Sequence, residues 1–187
     1  MYTYAFAVGV VNYHMSNPGK KHWEAVKRLM RYLNGTQDLG VCFGGEDACV
    51  LGYTDSYYEG DMDKRRSSSS YVFLFLGGVV SWRSCLQNCI AMSTTEAEYV
   101  AASEASKEAM WLACLMSDLG IFAETPTLHC DSQSASMLAK NPVFHAKTKH
   151  ISVQYHFIQD VLEDEYMQLV KVHTDDNPAD FLTKGLP

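Results

Sequence analysis

The sequence is 187 residues long, which is enough for one well-packed domain with a short appendage but not for two full-sized domains. With 47% hydrophobic and 20% charged residues, the composition is typical of a globular protein and excludes disorder over most of the length. The formal net charge of −7 argues against a general nucleic-acid-binding protein, which usually carries an excess of basic residues.

Targeting and cysteine patterns exclude two further classes. The longest apolar stretches, Ala5 to Val11 and Tyr71 to Val80, are shorter than the roughly 20 residues that cross a bilayer. Met1 is not followed by a basic segment of the kind that opens a secretory signal, so the sequence predicts a protein of the cytoplasm, as in a virus-like particle, or of the nucleus rather than a secreted one. The six cysteines include no Cys-x-x-Cys pair, which gives no indication of a zinc site or a disulfide framework.

Residues 1–45 differ in charge from the rest of the chain. They contain five basic and two acidic residues, a net charge of +3, so residues 46–187 carry −10. Ser16-Asn17-Pro18 is a helix start signal, and Asn34-Gly35 is a stop signal. Between them an amphipathic helix is predicted, because apolar residues recur at helical spacing at Trp23, Val26, Met30 and Leu33.

The following segment predicts strands. Cys49 to Thr54 is a short apolar run, and the strand is expected to end at Asp55. After a polar loop through Lys64-Arg65-Arg66, two apolar runs flank Gly77-Gly78. This pattern predicts a β-hairpin.

A long helix and a second set of strands complete the predicted fold. Ser93 followed by Glu96 has the spacing of a capping box, and a helix is expected from there to Leu119-Gly120. A strand is then predicted from Thr127 to Cys130, and an interruption of the helical structure is predicted at Asn141-Pro142. Helices are expected at 132–140, 147–165 and 178–184, and a strand at 168–172. The order indicates an α/β fold with a mixed sheet covered by helices.

Three aspartates lie at the ends of predicted elements. Asp55 and Asp131 each follow a strand, and Asp180 lies in the first turn of the last helix. If the two strands are neighbours, their ends lie about 4.8 Å apart, or about twice that with one strand between them. Carboxylates held that close repel each other unless a cation binds between them, and Mg²⁺ prefers such oxygen ligands. The set therefore indicates a two-metal site of the kind that cleaves phosphodiesters.

The long helix offers a fourth carboxylate, but two residues compete for the role. Glu96 and Glu98 point about 200° apart on a helix, so only one of them can face the sheet. Helical geometry alone leaves this choice open.

Several blocks of the sequence, in order, resemble a known family. From about Met15 to Pro187 the chain closely resembles the carboxyl-terminal part of copia-type retrotransposon polyproteins, which contains the end of the reverse transcriptase and its ribonuclease H domain. The blocks are Ser16-Asn17-Pro18-Gly19, His22 to Arg28, Gly52-Tyr53-Thr54-Asp55, Ser93 to Tyr99, Cys130-Asp131, Thr148 to Ile151, Asp176 to Asp180 and Leu182-Thr183-Lys184.

The resemblance implies a ribonuclease H-like fold, with a five-stranded mixed sheet flanked by helices. It also implies cleavage of the RNA strand of RNA–DNA hybrids with two Mg²⁺ ions, for which Mn²⁺ substitutes. Residues 1–45 are then a remnant of the reverse transcriptase connection, and residues 46–187 are the ribonuclease H domain. Expected partners are the hybrid and other segments of the polyprotein.

The family also implies roles for individual residues. Its four acidic metal ligands correspond to Asp55, Glu96, Asp131 and Asp180, so on this basis Glu96 is chosen over Glu98. His173 is the candidate for assisting product release. The expected substrate contacts are Ser132, Gln133, Arg83 and Lys149; Ser132 is alternatively only the cap of its helix.

Two departures from the family support other interpretations. Basic positions common in the family are replaced by Cys85 and Ala113-Cys114, which favours weaker hybrid binding. An alternative function is therefore a domesticated, catalytically weak or inactive module that binds hybrids or a host protein. A further possibility is that the chain folds poorly alone, because Trp23 and Met30 need a partner surface.

Overall fold

The computed structural model describes residues 2–45, 48–61, 65–121, 124–140 and 152–183. Six α-helices, five strands and one short 3₁₀ helix are present in these ranges. The helices are α1 (Tyr2–Tyr13), α2 (Lys20–Gly35), α3 (Thr94–Asp118), α4 (Gln133–Lys140), α5 (Ser152–Glu163) and α6 (Asp180–Thr183), and the 3₁₀ helix is Thr174–Asp176. The strands are β1 (Cys49–Asp61), β2 (Arg66–Phe75), β3 (Gly78–Leu86), β4 (Glu124–Cys130) and β5 (Gln168–Lys171).

The five strands form one mixed sheet in the order β3-β2-β1-β4-β5. The first three strands pair antiparallel, whereas β4 runs parallel to β1 and β5 runs parallel to β4. Helix α3 packs on β1, β2 and β4, and α4 and α5 pack against α3. The predicted fold class, a five-stranded mixed sheet flanked by helices, is confirmed.

The predicted hairpin is confirmed, but its turn lies one residue earlier than expected. Leu76 and Gly77 have φ angles of 50° and 75°, and Gly78 is already the first residue of β3. Positive φ at both central residues matches the twist of a two-residue hairpin, and glycine adopts it without steric cost.

Strand β1 is longer than predicted, and Asp55 lies within it rather than at its end. Beyond the apolar run, Asp55 pairs with Ser70 and Tyr57 pairs with Ser68 of β2. The run Ser67 to Ser70 is polar, yet all four serines are buried strand residues. The hydroxyls of Ser69 and Ser70 have distant partners, Gln87 and Ala179, which local sequence patterns do not reveal.

Helix α3 covers one face of the sheet and forms the main core with it. As predicted, Ser93 caps the helix by accepting a hydrogen bond from the Glu96 N–H at 3.2 Å, and Gly120 follows its end with φ of 69°. The largest side chains with almost no solvent exposure come from different elements around this interface: Phe73, Tyr99, Leu128 and Ile158.

Two helices precede the sheet, although only one was predicted. Helix α1 contacts β3 and α6, and α2 contacts α1. Helix α2 is amphipathic as predicted, but none of its residues is buried, and Trp23 and Met30 are 63% and 62% exposed. The domain boundary near residue 45 stays a prediction. The predicted break at Asn141-Pro142 lies outside the described residues, as does the segment 147–151 of the following helix.

No helix within the described ranges is long and apolar enough to cross a membrane.

Candidate active site

The predicted meeting of Asp55 and Asp131 is confirmed by the strand pairing. Strands β1 and β4 are parallel neighbours, and Thr54 pairs with Cys130. The two aspartates follow these paired residues directly, so both start from the same level of the sheet. Ligands of α/β sheets commonly bind at such carboxyl ends of parallel strands.

Helix α3 brings Glu98 to the same place. Its Oε1 accepts hydrogen bonds from the Ser56 backbone N–H at 3.3 Å and from the Ser56 hydroxyl at 2.9 Å. Ligand atoms of Glu98, Cys130 and Asp131 all lie within 4.8 Å of one another. Within the described part of the chain, these three residues are the group whose ligand atoms lie close enough together to hold one metal ion.

The electrostatics of Glu98 fit a cation site. The pKa of its carboxyl is raised from 4.5 to about 8, mainly by burial and next by the charges of Asp55 and Asp131, while the Ser56 hydrogen bonds act in the opposite direction. Oε2 of Glu98 is buried without a hydrogen-bond partner in the described structure. A divalent cation would supply the missing partner and stabilise the ionised carboxylate.

Cys130 adds a thiol next to these carboxylates. Burial raises its pKa to about 12, and the neighbouring charge of Glu98 acts in the same direction. The thiol is therefore protonated at neutral pH, which makes it a poor ligand for a hard cation. The oxygen atoms of the group are the better match for Mg²⁺.

The structure does not bring Glu96, the glutamate chosen from the family resemblance, into this group, and its role as a metal ligand stays a prediction. Oε2 of Glu96 accepts a hydrogen bond from the Met92 backbone N–H at the start of α3. The two glutamates are two positions apart on one helix, and it is Glu98 that faces Asp55 and Asp131.

A sequence signal for Glu98 exists in the periodicity of α3. Small and apolar residues follow Glu98 at spacings of 4, 7, 11, 14 and 18, which is one face of a helix. These residues are buried against the sheet. Glu98 lies in line with this face, but Glu96 is also buried, at 5% exposed, so periodicity alone does not choose between them. The residues are Ala102, Ala105, Ala109, Leu112 and Met116.

The carboxyl-terminal segment connects the backbone of Asp180 to Asp55 through Thr183. The Thr183 hydroxyl donates to Oδ2 of Asp55 at 2.6 Å and lies 3.0 Å from the Asp180 carbonyl oxygen. Asp180 is the first residue of α6, whose backbone is thereby held next to β1. Its role as a metal ligand stays a prediction.

The residues that were expected to contact the substrate make different contacts within the chain. Ser132 caps α4 by accepting a hydrogen bond from the Ala135 N–H at 3.2 Å, as in the alternative interpretation. The exposed Gln133 accepts a hydrogen bond from the Lys171 ammonium at 3.3 Å. Lys149 lies outside the described residues.

Arg83 lies on β3, two strands away from Asp55. It pairs in register with Tyr71 of β2, and its guanidinium interacts with the Tyr71 hydroxyl and with Glu104. These contacts occupy part of its hydrogen-bonding capacity. Its role in substrate binding stays a prediction.

His173 lies on the segment that follows β5 past the site. Its Nδ1 accepts a hydrogen bond from the Asp175 N–H at 3.3 Å, and its side chain is exposed. The next residue, Thr174, donates its hydroxyl to Asp131 at 3.0 Å. His173 is thus next in sequence to a residue that contacts Asp131, and its role in product release stays a prediction.

Known proteins similar to this chain are transposon polyproteins. The chain is 52% identical over 183 residues to the retrovirus-related Pol polyprotein from transposon TNT 1-94 of Nicotiana tabacum, a match that covers 98% of the chain and 14% of the polyprotein. It is 37% identical over 184 residues to that from transposon RE2 of Arabidopsis thaliana, covering 97% and 13% respectively. The chain thus spans only about one seventh of the length of these relatives.

A short relative and two solved structures also match. Secreted RxLR effector protein 161 of Plasmopara viticola is 49% identical over 109 residues, which are 58% of the chain and 77% of that protein. RNase H1 from Halobacterium salinarum has a TM-score of 0.44 and 18% identity, covering 71% of the chain and 92% of the archaeal protein. The N-terminal RNase H domain of a Mycobacterium tuberculosis protein, solved as a fusion with maltose-binding protein, has a TM-score of 0.48 and 16% identity, covering 73% and 91%.

No protein-family model matches the chain. The polyprotein matches, however, extend over nearly its whole length and at high identity. The chain is therefore similar, over nearly its whole length, to a segment of the Pol polyproteins of copia-type retrotransposons.

Proposed function

We propose that this chain is a metal-dependent endonuclease that cleaves the RNA strand of RNA–DNA hybrids. The single observation that carries the proposal is the convergence of Glu98 and Asp131 with Asp55 at the ends of adjacent parallel strands. Asp55, Glu98, Asp131 and Asp180 are the proposed metal-binding carboxylates. The relatives that contain this segment are Pol polyproteins, which is consistent with a nucleic-acid substrate.

The donor set fits hard divalent cations, Mg²⁺ or Mn²⁺. The carboxylate oxygens are their preferred ligands, and the buried Oε2 of Glu98 has no hydrogen-bond partner in the described structure. Bound metal ions would lower the pKa of a water nucleophile and stabilise the charge of the leaving oxygen. Asp55 and Asp131 are fixed on the rigid sheet, and Glu98 on α3, so the chain offers its oxygens in a defined geometry.

Groups beside the carboxylates suit a phosphate backbone. Lys171 pairs with Cys130 in the sheet and donates its ammonium to the exposed Gln133. A cation at this rim would attract the hybrid strands, and discrimination of RNA would rely on the 2′-hydroxyls in the minor groove. Other segments of the Pol polyprotein are the proposed protein partners.

A cleavage assay with purified protein tests the proposal. We expect the wild type to cut the RNA strand of an end-labelled hybrid in Mg²⁺ or Mn²⁺, and EDTA to stop the reaction. Asp131→Asn should abolish cleavage while leaving the melting temperature unchanged or raised, because a repelling charge is removed. Asp118→Asn, at the exposed end of α3, is the matched control and should cleave normally. Full activity of Asp131→Asn would refute the metal-site assignment.

A second candidate is a module that binds hybrids or a host protein without cutting. It is favoured by the environment of Cys85, whose thiol donates to Oε2 of Glu104 at 3.7 Å, at a position where the family commonly has a lysine. Since no cation occurs at this position, the hybrid would be held less tightly. A gel-shift assay separates the two candidates, because a binding module would retard the hybrid in Mg²⁺ and leave it intact.

A further inference from the structure

Three side-chain hydroxyls each donate to a different carboxylate at this edge of the sheet. The Ser56 hydroxyl binds Glu98, as described above. The Thr174 hydroxyl donates to Oδ2 of Asp131 at 3.0 Å, and the Thr183 hydroxyl donates to Oδ2 of Asp55 at 2.6 Å. The two threonines lie at opposite ends of one segment, residues 174–183, which we call the terminal segment.

The terminal segment is attached to the sheet by contacts that do not involve the carboxylates. The Asn177 amide donates to the Thr54 carbonyl oxygen at 2.9 Å. The Ser70 hydroxyl donates to the Ala179 carbonyl oxygen at 2.9 Å, and the Ser84 hydroxyl donates to that of Leu182 at 2.7 Å.

Burial reinforces these attachments. Asn177, Ala179, Leu182 and Thr183 are each at most 2% exposed. The part of the segment from Asn177 to Thr183 is therefore fixed by its own packing and by hydrogen bonds to the sheet, so Thr183 holds Asp55 in place rather than follows it. Thr174 is exposed and is tied to this part by the Asn177 N–H, which donates to the Thr174 carbonyl oxygen at 3.1 Å.

We propose that Thr174 and Thr183 are positioning residues, which orient the carboxylates of Asp131 and Asp55 for binding a divalent cation. Each hydroxyl engages Oδ2 and thereby restricts rotation of the carboxylate, while Oδ1 is left in a defined direction. Outer groups of this kind commonly contribute about 10–100-fold to metal affinity. The inference rests on the proposed function, because it assumes that these carboxylates bind metal.

Isosteric substitutions separate positioning from structural support. Thr183→Val and Thr174→Val remove the hydroxyl but keep the side-chain volume, whereas Thr183→Ser and Thr174→Ser keep the hydroxyl. Thr54→Val is the matched control, because its buried hydroxyl donates to the Ser70 carbonyl oxygen at 3.1 Å and not to a carboxylate. If Thr174 or Thr183 only supported the fold, substitutions there would change the stability of the protein, but its affinity for metal would not depend on the hydroxyl.

The first measurement is the affinity of the metal-free protein for Mn²⁺, which is monitored by electron paramagnetic resonance in the absence of substrate. We expect each valine variant to bind Mn²⁺ about 10–100-fold more weakly than the wild type, and each serine variant to bind within about threefold of it. Thr54→Val should lower the melting temperature without weakening Mn²⁺ binding. Wild-type affinity in both valine variants, or equal losses in the valine and serine variants, would overturn the inference.

A second measurement distinguishes this inference from the proposed function. In the metal-free protein, the ¹³C resonances of the Asp55 and Asp131 carboxyl groups report on their hydrogen bonds. They should shift in the valine variants and stay unchanged in the serine variants. If the wild type cleaves hybrids but these resonances are the same in all variants, only the inference fails. If the resonances shift as expected but the wild type neither binds Mn²⁺ nor cleaves, the proposed function fails and the hydroxyls orient the carboxylates for another purpose.

Discussion

Replacing Glu98 by glutamine should remove a pH-dependent loss of stability. The glutamine side chain has the same shape, and its carbonyl oxygen can still accept the two hydrogen bonds from Ser56. It carries no charge, however, so the cost of burying a charge and the repulsion by Asp55 and Asp131 are both absent. The variant therefore isolates the cost of ionising a carboxyl group at this position.

The magnitude and sign follow from the pKa of Glu98, which is about 8 in the folded chain against an ordinary value of 4.5. The folded state holds this proton more tightly than the unfolded state, so the wild type loses stability as the pH rises from about 4.5 to 8, and the loss levels off above. At about 1.4 kcal/mol per pH unit, the upper limit is about 5 kcal/mol, which solvent and side-chain relaxation reduce. Even about 2 kcal/mol would shift the melting temperature by about 4–8 °C at this chain length.

The assay is thermal unfolding of wild type and Glu98→Gln between pH 5 and pH 9 in EDTA, together with hybrid cleavage in Mg²⁺. We expect the variant to gain stability relative to the wild type as the pH rises, and to lose cleavage. Glu96→Gln is the matched control: its amide oxygen can still accept the hydrogen bond from the Met92 N–H, so the variant should retain cleavage and show no comparable gain in stability as the pH rises. Loss of cleavage in Glu96→Gln with retention in Glu98→Gln would refute the assignment of Glu98.

Two further predictions concern packing and association. Gly52→Ala should lower the free energy of unfolding by about 1–3 kcal/mol in urea denaturation, because the added Cβ would overlap the Phe73 ring. Gly35→Ala is the control and should not lower it, because a Cβ there meets no atom within 4 Å. Equal losses in the two variants would contradict the packing argument. Trp23→Gln combined with Met30→Gln should leave stability within about 0.5 kcal/mol but reduce concentration-dependent association in analytical ultracentrifugation. A monomeric wild type at all concentrations would contradict the second prediction.

The parts of the fold that depend on local signals could be predicted from the sequence. The hairpin follows from two apolar runs around a glycine pair, and the start of α3 follows from the side chain of Ser93 and its spacing to Glu96. Each signal acts over a few residues, so the surrounding structure is not needed to interpret it. The same holds for the apolar runs that precede Asp55 and Asp131, which predict the buried strand residues there.

The features that were missed depend on contacts between distant residues. The run Ser67 to Ser70 is polar, yet it is a buried strand because the Ser70 hydroxyl finds the Ala179 carbonyl oxygen, 109 residues away in sequence. The extension of β1 past Asp55 depends on pairing with that run. The choice between Glu96 and Glu98 also depends on distant contacts, because only the packing of α3 on the sheet brings Glu98 next to Asp55 and Asp131. The role of Glu96 as a metal ligand stays a prediction.

The donors around the carboxylates also explain how an acidic chain can have a nucleic-acid substrate. In the described structure Glu98 and Asp131 accept hydrogen bonds from neutral hydroxyl and backbone N–H groups, not from lysine or arginine. Neutral donors orient a carboxylate without cancelling its charge, whereas a salt bridge would compete with a metal ion for the same oxygens. The repulsion that raises the pKa of Glu98 is thereby kept until a divalent cation relieves it. Under the proposed function, the net charge of −7 therefore does not exclude a phosphate substrate, because the positive charge facing it would come from bound metal.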